Sequence, residues 1–152
     1  MLFRSITSKL SPPPAANNVG FGIVRYSANG MIDRSFGKGG VALVDFGGSA
    51  PMSAAYAVAI QSNGDIVAAG AAAGAIFQNK IVSSFGLTRF TSTGALDTSF
   101  GSGGTVITTL ATGQYSWATG VTIQSDGKIV AGGTSQFSNF NDNVYVARYL
   151  AQ

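Results

Sequence analysis

The chain has 152 residues, enough for one domain with a real core, and 45% of them are hydrophobic against 10% charged. With 21 glycines that balance excludes a disordered chain and reads as turn-rich β structure. The net charge of +3 is scattered without a basic run, which argues against nucleic acid and anionic membrane, while the lack of histidine, cysteine and glutamate excludes Ser-His-Asp and Cys-His catalysis, thiolate or imidazole metal sites and disulfides.

Residues 1–19 form a basic leader without acids, broken by Pro12-Pro13-Pro14. Its apolar run is too short for a secretory signal, and the prolines interrupt a transit-peptide reading. We expect it to be disordered or foreign to the native chain. No stretch approaches the length of a membrane span, so no membrane insertion is expected.

The first predicted strand is Phe21–Tyr26, "FGIVRY". A glycine-rich joint follows, "IDRSFGKGG", and then the β-branched run "VALVDF" from Val41 to Phe46. "AVAIQ" and "DIVAAG" flank "SNGD", so they read as a hairpin, with a two-residue type I′ turn expected at Asn63-Gly64. The segment Ala71–Ser84 is longer than its later counterpart, and extra length between repeats predicts a surface loop. "FGLTRF", ending at Phe90, is apolar on both faces, as a strand sandwiched between sheets should be.

The order then repeats. "FGIVRYSANGMIDRSFGKGGVALVDF" aligns with "FGLTRFTSTGALDTSFGSGGTVITTL", and "VAIQSNGDIVAAG" with "VTIQSDGKIVAGG"; about nineteen aligned positions are identical at a period of roughly sixty. A partial third copy, "VYVARY", ends at Tyr149. No segment carries a 3.6-residue stripe, so the chain reads as all-β. Repeated four-stranded units point to β-propeller blades; a repeating sandwich competes, and a β-helix fits poorly because its coils are shorter. Within a repeat domain of residues 20–152, starting each unit after Gly-Gly predicts two four-stranded antiparallel blades, about 41–90 and 105–149. Residues 21–26 are then an orphan strand.

The pattern F-x-x-x-R-Y…G-x-x-D-x-S-F-G-x-G-G…Q-x-D-G-K-I-V-x-x-G resembles the delta-60 repeat, a β-propeller repeat of unknown function, over Phe21–Tyr149. The resemblance implies a propeller fold in many tandem copies, within large bacterial proteins often secreted or attached to the cell surface. It implies no established activity and no catalytic residues. Two repeats are fewer than the four to eight blades of a closed ring, so the chain reads as part of a larger protein or as a short self-assembling subunit. The expected partners are other blades, or copies of the chain, meeting at exposed sheet edges.

Arg25, Arg89 and Arg148 share one repeat position, and Asp33 and Asp97 another. An Arg–Asp pair could bind a ligand, but an element copied into every unit is better read as framework tying a strand end to the returning loop. Phe36 and Phe100 read as core plugs between units. The glycines of "SFGKGG" and "SFGSGG" do not match a phosphate loop, which opens a helix; positive-φ turns and close backbone approach are expected. Among non-repeated positions, Tyr115 and Trp117 are candidates to stack on a sugar, making carbohydrate the candidate ligand. Asn139, Asn141 and Asp142 offer oxygen ligands but too little negative charge for calcium. No two of the six aspartates present themselves as a hydrolytic pair. A non-catalytic module without metal or cofactor is the expectation. The alternative is a short subunit completing a ring with a carbohydrate-binding or hydrolytic site.

Overall fold

The computed structural model describes residues 2–6, 20–47, 53–77, 80–110, 115–136 and 142–150. All regular structure within them is β, in a three-stranded and a seven-stranded sheet that do not close into a ring; the larger sheet falls into two antiparallel groups joined by a single parallel pairing, Ser83↔Tyr115, so three groups are described. The first group orders β1 (Leu2–Ile6), β2 (Phe21–Tyr26) and β3 (Val41–Val44) side by side. The middle group is a four-stranded meander of β4 (Ala54–Ile60), β5 (Ile66–Phe77), β6 (Lys80–Phe90) and β7 (Thr105–Thr108). The third orders β8 (Tyr115–Ile123), β9 (Ile129–Gln136) and β10 (Asp142–Tyr149).

Strand pairing shifts the unit boundaries. The strand after Gly-Gly does not open a new sheet but folds back on the strand before the joint: β3 pairs β2, and β7 pairs β6. The physical reason is the joint itself. Lys38 N donates to Val41 O at 2.7 Å and Gly40 N to Phe36 O at 2.8 Å, and Ser102 and Gly104 repeat both bonds with Thr105 and Phe100. Those bonds close a tight reversal, which is hairpin geometry rather than a break. The four-stranded unit therefore spans 54–108, not 41–90. The third group starts at Tyr115, not at Thr105.

The strand read as an orphan is not alone. β1 lies against β2 with Leu2 opposite Tyr26 and Ile6 opposite Gly22. This is the register in which Ile66 and Gly70 of β5 meet Phe90 and Gly86 of β6. Part of the segment expected to lack structure thus takes the seat of a second strand, because β2 offers a free edge whose backbone groups need partners. Residues 7–19 lie outside the described residues.

Two hairpin expectations also change. Ala71–Phe77 does not form a loop: β5 and β6 run on together to a Phe77–Lys80 pair, so the extra length becomes a longer hairpin. At Asn63-Gly64, Gly64 N donates to Gln61 O at 2.9 Å and Gln61 N to Asp65 O at 2.8 Å. The turn is therefore centred on Ser62-Asn63, and Gly64 follows at φ +90°, the three-residue arrangement with glycine in the left-handed position. Equivalent bonds recur at Ser27–Met31, Thr91–Ala95 and Gln124–Lys128.

The core lies between groups. One cluster joins Phe21, Ile23, Phe36, Ala42 and Val44 of the first group to Ala55, Ile66, Ala68 and Phe90 of the middle one. A second joins Phe85, Leu87 and Phe100 of the middle group to Ala118, Ile129 and Ala131 of the third. The two lists are the same repeat positions: Phe21 answers Phe85, Ile23 answers Leu87, Ala55 answers Ala118, Ile66 answers Ile129. A single sheet buries only one face, so each unit is completed by its neighbour.

Close approach on β5 and β9 explains the glycine that ends each "IVAAG" or "IVAGG". A β-bulge sits opposite, between Ala55 and Ala57 and between Ala118 and Gly120. A Cβ on Gly70 would stand 1.9 Å from Ala54 O, and one on Gly133 2.0 Å from Trp117 O. No side chain fits there.

Candidate functional site

The densest polar arrangement is the repeated joint. Arg25 leaves β2 and folds back over the loop, where its Nε donates to Asp33 Oδ2 at 2.9 Å and Nη2 to Ser35 Oγ at 3.2 Å. Its guanidinium lies over the Phe36 ring, 4.6 Å from the centroid. Asp33 Oδ1 accepts from Ser35 N at 3.0 Å and Ser35 Oγ at 2.6 Å, so both carboxylate oxygens are engaged. The second joint repeats this: Arg89 Nε to Asp97 Oδ2 at 2.6 Å, and Asp97 Oδ1 accepting from Ser99 N at 3.0 Å and Ser99 Oγ at 2.6 Å. Arg89 lies 4.9 Å over Phe100.

The joint also grips the next unit. Arg25 Nη1 donates to Ser92 O at 2.7 Å, and Gly37 N to Thr93 O at 2.8 Å. Gly94 makes this contact possible. It has φ +87°, and a Cβ would stand 2.6 Å from Gly37 N and 2.9 Å from the Phe36 ring. The six glycines of the two joints include Gly37, Gly39, Gly40, Gly101, Gly103 and Gly104, all at positive φ.

Electrostatics follow the bonds. Asp33 is held below the usual carboxylate value of 3.8 by the Ser35 hydroxyl and amide and then by Arg25, against the opposing effect of burial. Asp97 is lowered first by the Ser99 hydroxyl and then by Arg89, again against burial. Asp126 is lowered by its ion pair with Lys128 and, less, by the charge of Arg148. Each depressed carboxylate contributes stability that is complete above about pH 4 and is lost as pH falls through the folded-state value. Histidine and glutamate are absent. Thermal melts should therefore be flat from pH 7 to pH 5 and drop steeply below about pH 4. A midpoint that falls between pH 7 and pH 5 would contradict this assignment.

Of the other candidates, Tyr115, Trp117 and Asp142 fall at one end of the third group, Tyr115 and Asp142 flanking Gln136 from either side. Tyr115 and Trp117 lie two residues apart on one face of β8, Tyr115 exposed and Trp117 half-buried, opposite Gln136 and Thr134. Between them Ser116 points the other way, its Oγ donating to Ser135 Oγ at 2.8 Å. Asn139 and Asn141 lie outside the described residues, and Asp142 begins β10 opposite Gln136. Among the described residues, no three acidic side chains converge on a point that could hold a metal ion. Asp65 accepts from Asn63 Nδ2 at 2.7 Å at its hairpin turn. Among the described residues, concave sites include one of about 310 Å³ beside Phe100, Arg148 and Tyr149 and one of about 590 Å³ beside Ser35, Gly37 and Thr93. Both belong to joints, and neither includes Tyr115 or Trp117.

Sequence reasoning passed over Ser35 and Ser99, although both stand inside the repeated D-x-S-F, where a serine two residues after aspartate signals a side-chain-to-backbone turn. It also passed over the carbonyls of Ser92 and Thr93, whose only sequence mark is the glycine that follows.

A family model described as a domain of unknown function (DUF5122), beta-propeller, matches residues 15–36, 61–100 and 124–152, more than half of the chain. No curated protein matches the chain.

Proposed function

The chain belongs to that DUF5122 β-propeller family, and from this premise we propose that it is a non-catalytic repeat module, a scaffold or binding surface within a larger propeller assembly. One observation carries the reading: both cores are built from equal repeat positions of neighbouring groups, and the third group presents the same positions uncovered. Phe85 and Leu87 of β6 are fully buried, whereas Val144 and Val146 of β10, their equivalents, are 79% and 72% exposed. The Arg–Asp joints support the same reading, because their charges are engaged within and between units. A secreted or cell-surface setting rests on the resemblance to delta-60 repeats.

The test is light scattering after gel filtration over a wide concentration range. The native chain should self-associate, and the Val144→Asp/Val146→Asp variant should remain monomeric with an unchanged fold. A native chain that stays monomeric throughout overturns the proposal. The shared face of Tyr115 and Trp117 favours carbohydrate as the ligand of such a surface, checked by quenching of the single tryptophan on titration with oligosaccharides.

A further inference from the structure

Asparagine precedes glycine twice in the chain, at Asn29-Gly30 and Asn63-Gly64, and both pairs hold the same place in a repeated hairpin turn. Their surroundings differ. Asn29 Oδ1 accepts from two donors, Ser27 Oγ at 2.5 Å and Met31 N at 3.3 Å. The Ser27 hydroxyl has Met31 O as its other acceptor, at 2.9 Å. In the second turn Gln61 stands where Ser27 stands in the first, and the asparagine is clamped by Asp65. Asn63 Nδ2 donates to Asp65 Oδ2 at 2.7 Å, and Asn63 Oδ1 accepts from Asp65 N at 3.0 Å. Space differs as well. Chain neighbours aside, a Cβ on Gly30 would meet no atom of the described residues within 4 Å, whereas one on Gly64 would stand 3.1 Å from Ser92 Cβ in the next turn.

We propose that Asn29 is a site of spontaneous deamidation, with water as co-reactant, and that the fold spares Asn63. The inference is independent of the assembly reading and of any ligand. The Gly30 backbone nitrogen gives its proton to solvent base and attacks Asn29 Cγ. The new N–Cγ bond closes a succinimide as the Cγ–Nδ2 bond breaks, and the amide nitrogen takes a proton from solvent and leaves as ammonia. Water then adds to one ring carbonyl, giving aspartate or isoaspartate at position 29. Negative charge gathers on Oδ1 during the attack, where the Ser27 hydroxyl and the Met31 N–H are already aimed. At Asn63 the same charge forms beside the Asp65 carboxylate, which also holds the leaving nitrogen. Attack requires Gly30 N to release Ser27 O, 3.0 Å away, and Gly64 N to release Gln61 O, 2.9 Å away. That local opening is easy in the exposed first turn and is opposed by Ser92 in the second. An isoaspartyl residue adds a methylene to the backbone between Ser27 and Met31, whose 2.9 Å bond closes the turn. It therefore loosens the approach to the Arg25–Asp33 joint, where Asp33 N donates to Arg25 O at 2.9 Å.

The test incubates the full chain in mildly alkaline buffer and follows tryptic fragments by mass spectrometry, with isoaspartate detected by enzymatic methylation. Cleavage after arginine and lysine puts Asn29 in fragment 26–34 and Asn63 in fragment 39–80, so the two sites are read separately. Asn29 should convert about tenfold faster than Asn63, a modest share of what one aimed donor contributes in an enzyme site. In concentrated urea the two rates should converge, because both are then unconstrained Asn-Gly bonds. Ser27→Ala should slow conversion at Asn29 severalfold, and Asp65→Ala should speed it at Asn63 while leaving Asn29 unchanged. Equal rates in the folded chain overturn the proposal. So does a preference for Asn29 that survives in urea, since the sequence and not the fold would then set it. A rate at Asn29 that is unchanged or raised in Ser27→Ala overturns it as well, because the hydroxyl would play no part in the attack.

Discussion

Replacing Phe36 with alanine is expected to lower unfolding free energy by about 3–5 kcal/mol, the range for deleting a fully buried phenylalanine. Phe36 is 0% exposed and sits where three things meet. It fills the first core beside Phe21, Ile23 and Phe90, supports the Arg25 guanidinium, and lies beside the Gly94 turn of the next unit. Truncation therefore leaves a cavity between units and removes the surface on which a cation rests. Collapse around the void is limited because backbone lines one side of it, at Gly37 and Gly94. Phe36→Leu keeps most of the apolar volume and should lose about 1–2 kcal/mol. Urea unfolding measures both. A loss under 1 kcal/mol for alanine would mean that the first and middle groups do not depend on this contact. With total stabilities of small domains near 5–15 kcal/mol, that loss is from about a fifth to the whole of the folding free energy.

The repeat was legible because both copies keep the residues with no substitute: positive-φ glycines, the pairing arginine and aspartate, and the phenyl ring. The β class and the hairpins at "SNGD" and "SDGK" followed from the same marks. The unit boundary was not legible. A tandem period has no intrinsic origin, and Gly-Gly reads equally as a break or as a hairpin reversal; only the bonds from Lys38 to Val41 and from Ser102 to Thr105 decide. β1 was hidden for another reason. "LFRSI" shares no pattern with "IVAAG", and its seat beside β2 comes from a long-range pairing that local propensity does not encode. The exposure of β10 was likewise invisible, since "VYVARY" and "FGLTRF" have the same apolar character and differ only in what covers them. Of the candidate site, the Arg–Asp pairing could be read from spacing. Its grip on Ser92 and Thr93 could not, because the acceptors are backbone carbonyls and carry no side-chain signature.

That pairing yields the second large effect. Asp97→Ala is expected to destabilise the chain by about 2–3 kcal/mol. Breaking a fully buried ion pair from one side costs about 3–5 kcal/mol; the lower figure applies because the Asp97 side chain is 17% exposed and Ser99 still reaches Arg89. Most of the loss comes from the partner left behind. Arg89 is only 5% exposed, so without its carboxylate a guanidinium remains partly desolvated over the Phe100 ring. Asp97→Asn should fall between, since the amide oxygen can still accept from Ser99 while the charge is gone. Arg89→Met in the Asp97→Ala background should restore part of the loss, because it removes the stranded cation and keeps the apolar stem on the ring. The acid limb of the stability profile should flatten in Asp97→Ala, as one depressed carboxylate no longer titrates. If instead Asp97→Ala were neutral and the acid limb unchanged, the pair would not hold the joint. Two positions repeated at such cost in charge burial would then have to be explained by a ligand.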